Sequence, residues 1–296
     1  MQTTATATKS TKKSSHKRNK LIQDIIVITI LAIGSLSMII PFWWMISTAF
    51  DESAMFELVM PPVFWPQEFT TRAFYMAFNN VPMMRYMLNT LLVAAGNITV
   101  SILSAVMAGY ALSKIRFKGS TVVLMIALST MMIPLPVMMV PRFFLFHRLG
   151  LVDSYFAFWL PAAAYAFGTF FVKQYMDSIP DSLRESARID GAGELRIALQ
   201  IYMPLCGALI ATLVVLIFLG TWNDFMWPMI ILTSPSRYTL QLGIAMFAMS
   251  DGGMQATTLP AIRLAVTAVS IIPVLIMYLG LQRYIVESIA LSGVKQ

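Results

Sequence analysis

Glu185, Ala187, Asp190 and Gly191 fall in one polar stretch, Glu185-Ser186-Ala187-Arg188-Ile189-Asp190-Gly191-Ala192, set between two long apolar segments and closed by Ile201, Met203 and Pro204. A short charged helix in such a place offers a docking surface to a soluble partner. Pro180, Asp181 and Ser182 form a helix start, and Ser182 with Glu185 matches a capping box. In that motif the hydroxyl accepts from the third helical amide and the carboxylate reaches back. The spacing predicts a first helix to Asp190, Gly191 in the left-handed conformation that ends a helix, and a second helix from Glu194 to about Met203. Leu183 and Ala187 share a face at i, i+4 with Asp190 beside them, and the small Ala187 leaves room for a partner's close approach. The plainer alternative is that Glu185 only caps and Gly191 only turns the chain.

A second group could line a pathway. Asp224 is the one acid well inside an apolar run of the second half, and with Gly220, Asn223 and Trp227 it makes an i, i+3/i+4, i+7 stripe; Trp222 lies beside it. Polar groups in lipid are costly and face protein or water. Tryptophan with amide and carboxylate groups suits a sugar, which has apolar ring faces and hydroxyls. The alternative is that Asn223 and Asp224 brace a helix near the outer surface, with Trp222 and Trp227 in an aromatic belt. Asn97, Ser101, Ala105 and Gly109 recur every four residues. Small residues on one face permit close helix packing, and Asn or Ser can hydrogen-bond across; a sugar contact at Asn97 is the other reading.

Other chemistry lacks its parts. A single cysteine, Cys206, and two histidines, His16 and His147, leave no disulfide and no credible metal or His-based catalytic cluster. A membrane enzyme would need a clustered acid–base or metal set within the spans, and those residues are missing. No Gly-x-x-x-x-Gly-Lys-Ser/Thr occurs, so any ATP is handled elsewhere.

The elements that position these residues belong to a membrane. The 296 residues are 58% hydrophobic and 12% charged, against about 25% charged in soluble domains. The expected fold is all-α and polytopic, with six spans near 22–48, 88–112, 121–140, 155–175, 204–232 and 262–282. Pro134, Pro136 and Pro141 should kink the third. A basic, Ser/Thr-rich tail over 1–20, expected to be disordered, precedes a single transmembrane domain over 21–296, and the coupling-type loop spans about 177–203. With the N-terminus inside, fifteen of the 21 Lys and Arg fall on the cytoplasmic side. They include the tail, Lys114, Arg116, Lys118, Lys173, Arg184, Arg188, Arg196, Arg283 and Lys295. Arg72, Arg85, Arg142, Arg148, Arg237 and Arg263 face out. The asymmetry puts both termini in the cytoplasm. The net charge of +7 is thus a matter of orientation and lipid headgroups, not of nucleic acid. The outer loops, 49–87, 141–154 and 233–261, hold aromatics (Phe56, Phe64, Trp65, Phe69), Pro61-Pro62 and Pro66, and the turn Asp251-Gly252-Gly253.

The polar loop resembles the EAA loop of permease subunits of ATP-driven importers: Glu185, Ala187, Gly191, Ile201 and Pro204 stand at its spacings, with Ser186 and Met203 as small departures. The chain after about residue 40 resembles the six-span, maltose-type permease subunit of carbohydrate-uptake ABC transporters. The segments that carry this are Pro41 to Phe50, Asn89-Thr90, Met132-Ile133-Pro134, Leu149-Gly150-Leu151, Ser178-Ile179-Pro180 into Ala187-Arg188-Ile189-Asp190-Gly191-Ala192, Trp222-Asn223-Asp224-Phe225 with Trp227-Pro228, and Gln282 to Glu287. The resemblance implies a type I importer permease fold in a bacterial or archaeal cytoplasmic membrane. It implies a second permease subunit, as in a heterodimer, an extracellular sugar-binding protein, and two cytoplasmic ATPase subunits that carry ATP and Mg and receive the loop. This chain then binds no cofactor and has no catalytic or metal residues. The resemblance also implies that the tail Leu291–Gln296 touches the ATPases and that the Asp251–Gly253 loop probes the binding protein. A stand-alone secondary transporter or channel is the competing function; it would need intramembrane ions, for which only Asp224 volunteers.

Overall fold

The computed structural model describes residues 5–55, 63–250 and 260–293. Phe56, Pro61-Pro62, the Asp251–Gly253 turn and the last three residues of the C-terminal tail lie outside the described residues. Among those described there is no strand, only an isolated bridge between Asp51 and Phe69.

The helices are α1 (Ala5–Ala49), α2 (Arg72–Asn80), α3 (Met83–Tyr110, extended by a π-helical turn Ala111–Ile115), α4 (Ser120–Thr130), α5 (Leu135–Arg148), α6 (Phe156–Ala162), α7 (Ala166–Asp177), α8 (Ser182–Ile189), α9 (Glu194–Ile197, running on through a π-helical turn Ala198–Tyr202), α10 (Met203–Leu205), α11 (Gly207–Trp222), α12 (Met226–Ile231), α13 (Leu240–Ser250) and α14 (Pro260–Gly293). Four stretches are long and apolar enough to cross a membrane: Lys20–Ala49, Met83–Ile115, Phe156–Asp177 and Pro260–Gly280. Among the described residues two bent pairs, α4 with α5 at 100° and Glu194–Leu205 with α11 at 85°, bring the number to six if each pair is one broken span.

Three expectations change. The helix α1 begins at Ala5, where a disordered tail is expected; the apolar helix behind it supplies the costly nucleus, and Ala and Lys propagate it at little cost. The third span is not merely kinked. Pro134 disfavours helix at Ile133, the chain breaks between Thr130 and Leu135, and α5 continues to Arg148, so Arg142 is a helix residue and not an outer-loop charge. The fifth span also breaks: α11 ends at Trp222 and α12 starts at Met226.

The chain forms two compact units: one of residues 1–75 and 258–268, the other of 76–257 and 269–296. In the first, Asp51 organises the segment after α1, its carboxylate accepting from the amides of Ser53 (3.1 Å), Gln67 (3.0 Å) and Glu68 (3.3 Å). The Phe50 ring stacks on Phe69 at 5.4 Å, and Trp43 donates to the Phe64 carbonyl at 2.8 Å. Trp65 meets the Trp43 ring at 5.2 Å, so these aromatics pack against the end of α1 while staying exposed.

The second unit is built on α3, which packs against α6, α7, α11 and α13. Its small-residue stripe makes these contacts close. Ser101 donates to the Ala162 carbonyl at 2.9 Å, Ala105 is fully buried, and a Cβ on Gly109 would meet Val172 Cγ1 at 2.7 Å. The stripe is therefore a helix interface. Asn89 donates to the carbonyls of Ser236 (3.0 Å) and Tyr238 (2.9 Å), and the Thr90 hydroxyl accepts from the Leu240 amide at 2.8 Å. That pair ties the N-terminal end of α3 to the connection before α13.

Candidate functional site

The polar loop folds as two short helices around Gly191. Asp190 caps α8; the Gly191 amide donates to the Arg188 carbonyl (3.0 Å) and the Ala192 amide to the Ala187 carbonyl (2.9 Å), with Gly191 at φ +80°. This pair of bonds is a Schellman motif, and its positive φ is what glycine adopts without a Cβ clash. The expected left-handed Gly191 is present.

The start of α8 differs from the expected capping box. Asp181, not Ser182, is the cap residue, and no side chain caps the helix. The Asp181 carboxylate is engaged elsewhere, accepting from Lys114 Nζ at 2.6 Å with Arg116 at 3.5 Å. One charge-assisted hydrogen bond, with a second cation close by, outcompetes a helix cap. The Lys114 ammonium hydrogen bond foremost, with the charges of Arg116 and Arg184 behind it, holds the Asp181 carboxyl below the ordinary carboxylate range.

Lys114 is the anchor. Its side chain is 1% exposed, and its ammonium also donates to the Ile179 carbonyl at 2.6 Å and lies 5.5 Å from the Tyr202 ring. A second tie lies alongside. Arg184 donates from Nε and a terminal nitrogen to the two Glu194 oxygens (3.1 and 2.7 Å) and from the other terminal nitrogen to the Lys114 carbonyl (3.0 Å). The Tyr110 hydroxyl completes the Glu194 carboxylate. Hydrogen bonding to Glu194 raises Arg184 above the usual guanidinium value. A bidentate pair on a fixed carbonyl holds α8 at a set orientation to the end of α3.

Ala187 does not sit on the partner-facing surface. It is buried in a cluster with Ile197, Ala198 and Tyr202, so its small size serves the loop's own packing. Glu185, Asp190 and Gly191 are exposed, and beside them stand Leu183, Ile189 at 86% exposure, and Leu195.

The WNDF segment is the break between α11 and α12, so the expected stripe on one helix is dispersed. Trp222 is buried, stacked on Phe218, and donates to the Ser270 carbonyl at 3.2 Å. Asn223 is exposed and donates to the Leu219 carbonyl at 2.9 Å, closing its own helix. Asp224 accepts from the Trp227 amide at 3.3 Å and so starts α12. Trp227 is buried rather than lipid-facing.

Three of the named pathway residues still meet. Asn97, Gly220 and Asp224 line one recess of about 230 Å³, together with Thr221, Pro161 and Arg142. Arg142 escaped the sequence reading, because a cation just after Pro141 looks like a loop charge. Its guanidinium carbon lies 3.9 Å from the Trp227 ring centroid, a cation–π contact. Among the described residues no group of three or more His, Cys, Asp or Glu could hold a metal.

Comparison with known proteins gives one answer. Residues 97–290 match the family described as binding-protein-dependent transport system inner membrane component. The chain is 35% identical over 198 residues to the arabinooligosaccharides transport system permease protein AraQ of Halalkalibacterium halodurans, covering 67% of this chain and 69% of that one. It is 30% identical to the inner membrane ABC transporter permease protein YcjP of Escherichia coli (90% and 94% covered). It is 28% identical to the lactose transport system permease protein LacG of Rhizobium radiobacter (93% and 97% covered). Among solved structures, a chain of a bacterial ABC transporter involved in import of the acidic polysaccharide alginate superposes with a TM-score of 0.79 at 27% identity, covering 90% of this chain and 98% of that one. The chain belongs to the binding-protein-dependent transport system inner membrane components, the multi-pass permease subunits of ABC importers, which have no ATPase site of their own.

Proposed function

We propose that this permease imports a di- or oligosaccharide as half of a translocation pathway, paired with a second, related permease subunit, and that two cytoplasmic ATPase subunits dock on the loop around Glu185, Asp190 and Gly191. ATP and Mg are bound by those partners, and an extracellular binding protein delivers the sugar. Closure of the ATPase pair moves the loops and switches the pathway between inward- and outward-facing. Both termini lie in the cytoplasm.

The observation that carries the docking assignment is the surface of α8. Leu183 and Ile189 are exposed on α8, outside the apolar spans, and the ties from Lys114 and Arg184 brace that loop from behind. An apolar, rimmed and rigid knob is what a partner cleft receives. The cargo class follows the relatives, which are named for arabinooligosaccharides and lactose, but also for sn-glycerol-3-phosphate, so their names leave the charge of the cargo open.

The test is a pair of variants in the reconstituted complex. Gly191→Pro removes the amide that donates to Arg188 and forbids the positive φ. It is expected to insert in the membrane normally, while sugar-stimulated ATPase activity and uptake fall at least tenfold. Ile189→Cys, with Cys206→Ser, is expected to cross-link to an ATPase subunit. Normal uptake by Gly191→Pro at normal expression would sink the docking claim. Sugar flux under an ion gradient, with no ATPase co-purifying, would move the assignment to a stand-alone secondary transporter.

A further inference from the structure

The spanning stretches Met83–Ile115 and Phe156–Asp177 end on the same side, and α4 begins beside them, packed on α7 and on the π-helical turn that closes α3. A recess of about 380 Å³ opens there. Arg116 and Lys173 stand in its walls with Ser120 and Thr121 of α4, and Leu112 and Leu124 give its apolar part. It therefore lies at the membrane–water boundary, on the side of the loop around Gly191. Its walls offer donors and no open acceptor. Arg116 spends Nε on the Ser113 carbonyl at 2.7 Å and sets one terminal nitrogen 3.5 Å from Asp181. Its side chain is still 61% exposed, and a guanidinium has further donors. Lys173 commits one donor to Asp177 and keeps the others. The Ser120 and Thr121 hydroxyls have no partner among the described residues. The one carboxylate in the walls, Asp177, is already answered by Lys173 and by the Ser113 hydroxyl at 2.7 Å. Lys118, exposed on the turn into α4, adds another cation.

We infer that this recess holds the phosphate of an anionic phospholipid, drawn from the leaflet on the side of the Gly191 loop, with its acyl chains lying along α4. A phosphodiester brings acceptors and a negative charge, so it takes up the unspent donors of Arg116, Lys173, Ser120 and Thr121. Basic pockets between spanning helices are where such headgroups lodge. The headgroup is one without an ammonium. A choline or ethanolamine cation would face Arg116, Lys118 and Lys173, and the only carboxylate in the walls is taken. Phosphatidylglycerol meets that requirement. The apolar half of the ligand has its track as well. No residue of α4 is buried, and Val122, Val123, Met125 and Ile126 are exposed, so a chain leaving Leu124 runs on over apolar surface.

The complete importer complex tests this in phosphatidylcholine vesicles doped with phosphatidylglycerol that carries a photoreactive diazirine in one acyl chain. Illumination is expected to attach the probe to residues of α4. Unlabelled phosphatidylglycerol should compete, and unlabelled phosphatidylcholine and inorganic phosphate should not. Thr121→Glu sets a carboxylate at the exposed rim and is expected to cut capture about tenfold, the loss of one charged contact. A carboxylate in a first helical turn favours the helix, so the unfolding temperature should not fall. Thr121→Gln, with the same reach and no charge, should retain capture. Lys173→Gln, on α7, removes a wall cation and should lower capture in the same direction. Undiminished capture in both Thr121→Glu and Lys173→Gln, or equal capture of a phosphatidylcholine probe, would overturn the headgroup assignment. Displacement by inorganic phosphate would make a free anion the occupant and overturn the lipid. Absence of capture on α4 would show that another subunit covers this face and would overturn the site. The readout needs no transported sugar, so it stands or falls apart from the cargo reading above.

Discussion

Lys114 is a full positive charge at 1% side-chain exposure, which is tolerable only because every direction it faces is answered: the Ile179 carbonyl, the Asp181 carboxylate and the Tyr202 ring. Lys114→Met keeps the length and removes the ammonium, leaving the Ile179 carbonyl without its partner. An unsatisfied buried acceptor costs about 1–3 kcal/mol, and detergent-solubilised protein should unfold at a lower temperature by that measure. The same pair predicts a pH response. Asp181 sits below its ordinary value in the folded protein. Its contribution is therefore complete above the ordinary carboxylate value, about 4, and is lost as pH falls through the lowered folded value. The acid limb of a stability–pH curve should be shallower in Lys114→Met than in the parent, while the two curves run parallel between pH 6 and 8. An unchanged acid limb would show that the ion pair carries no linkage.

At the scale of elements, α3 is the post on which the second unit is assembled, and its approach to α6 is set by a missing side chain. A Cβ on Gly96 would stand 2.1 Å from Trp159 Nε1, and that nitrogen donates to the Val93 carbonyl at 3.3 Å. Gly96→Ala must therefore push the indole off its bond, at about 1–3 kcal/mol for overpacking, despite Ala being the better helix former. A lower unfolding temperature with unchanged helical content is the expected result, and a raised one would mean that α6 yields freely. Gly96 also marks what the sequence makes legible. The six apolar stretches, the Gly191 turn and the Ser101–Gly109 face follow from local pattern, since residues a few positions apart decide them. The break at Asn223–Phe225 does not, because an apolar run carries no sign of where a helix stops when its end is closed by Asn223 on Leu219 and restarted by Asp224 under Trp227. Nor do the pairing of Lys114 with Asp181 and the stacking of Arg142 on Trp227, which join residues far apart in the chain. Asp181 read as part of a local helix start because its true partner lies in another helix.

At the scale of the whole molecule, the proposed orientation rests on where the charges fall, and the helices sharpen that argument by removing two charges from it. Lys114 is buried in an ion pair and Arg142 is stacked within α5, so neither is a free loop cation. One drops from each side, and the excess of Lys and Arg on the proposed cytoplasmic side survives. The loop around Ser186 and the connection around Ser236 then face opposite sides of the membrane. Cys206 is fully buried, and Cys206→Ser gives a background free of thiols. Into it, Ser186→Cys and Ser236→Cys each add one thiol at an exposed position. A charged, membrane-impermeant maleimide added to intact spheroplasts is expected to label Ser236→Cys and to spare Ser186→Cys. Inverted vesicles should reverse the pattern. Labelling of both from the same side would require an odd number of crossings to be missing between residues 186 and 236, and would identify the 85° bend between α10 and α11 as a re-entrant turn. Labelling of Ser186→Cys from outside alone would invert the chain and take the ATPase-docking loop with it, because no cytoplasmic partner could then reach Ile189.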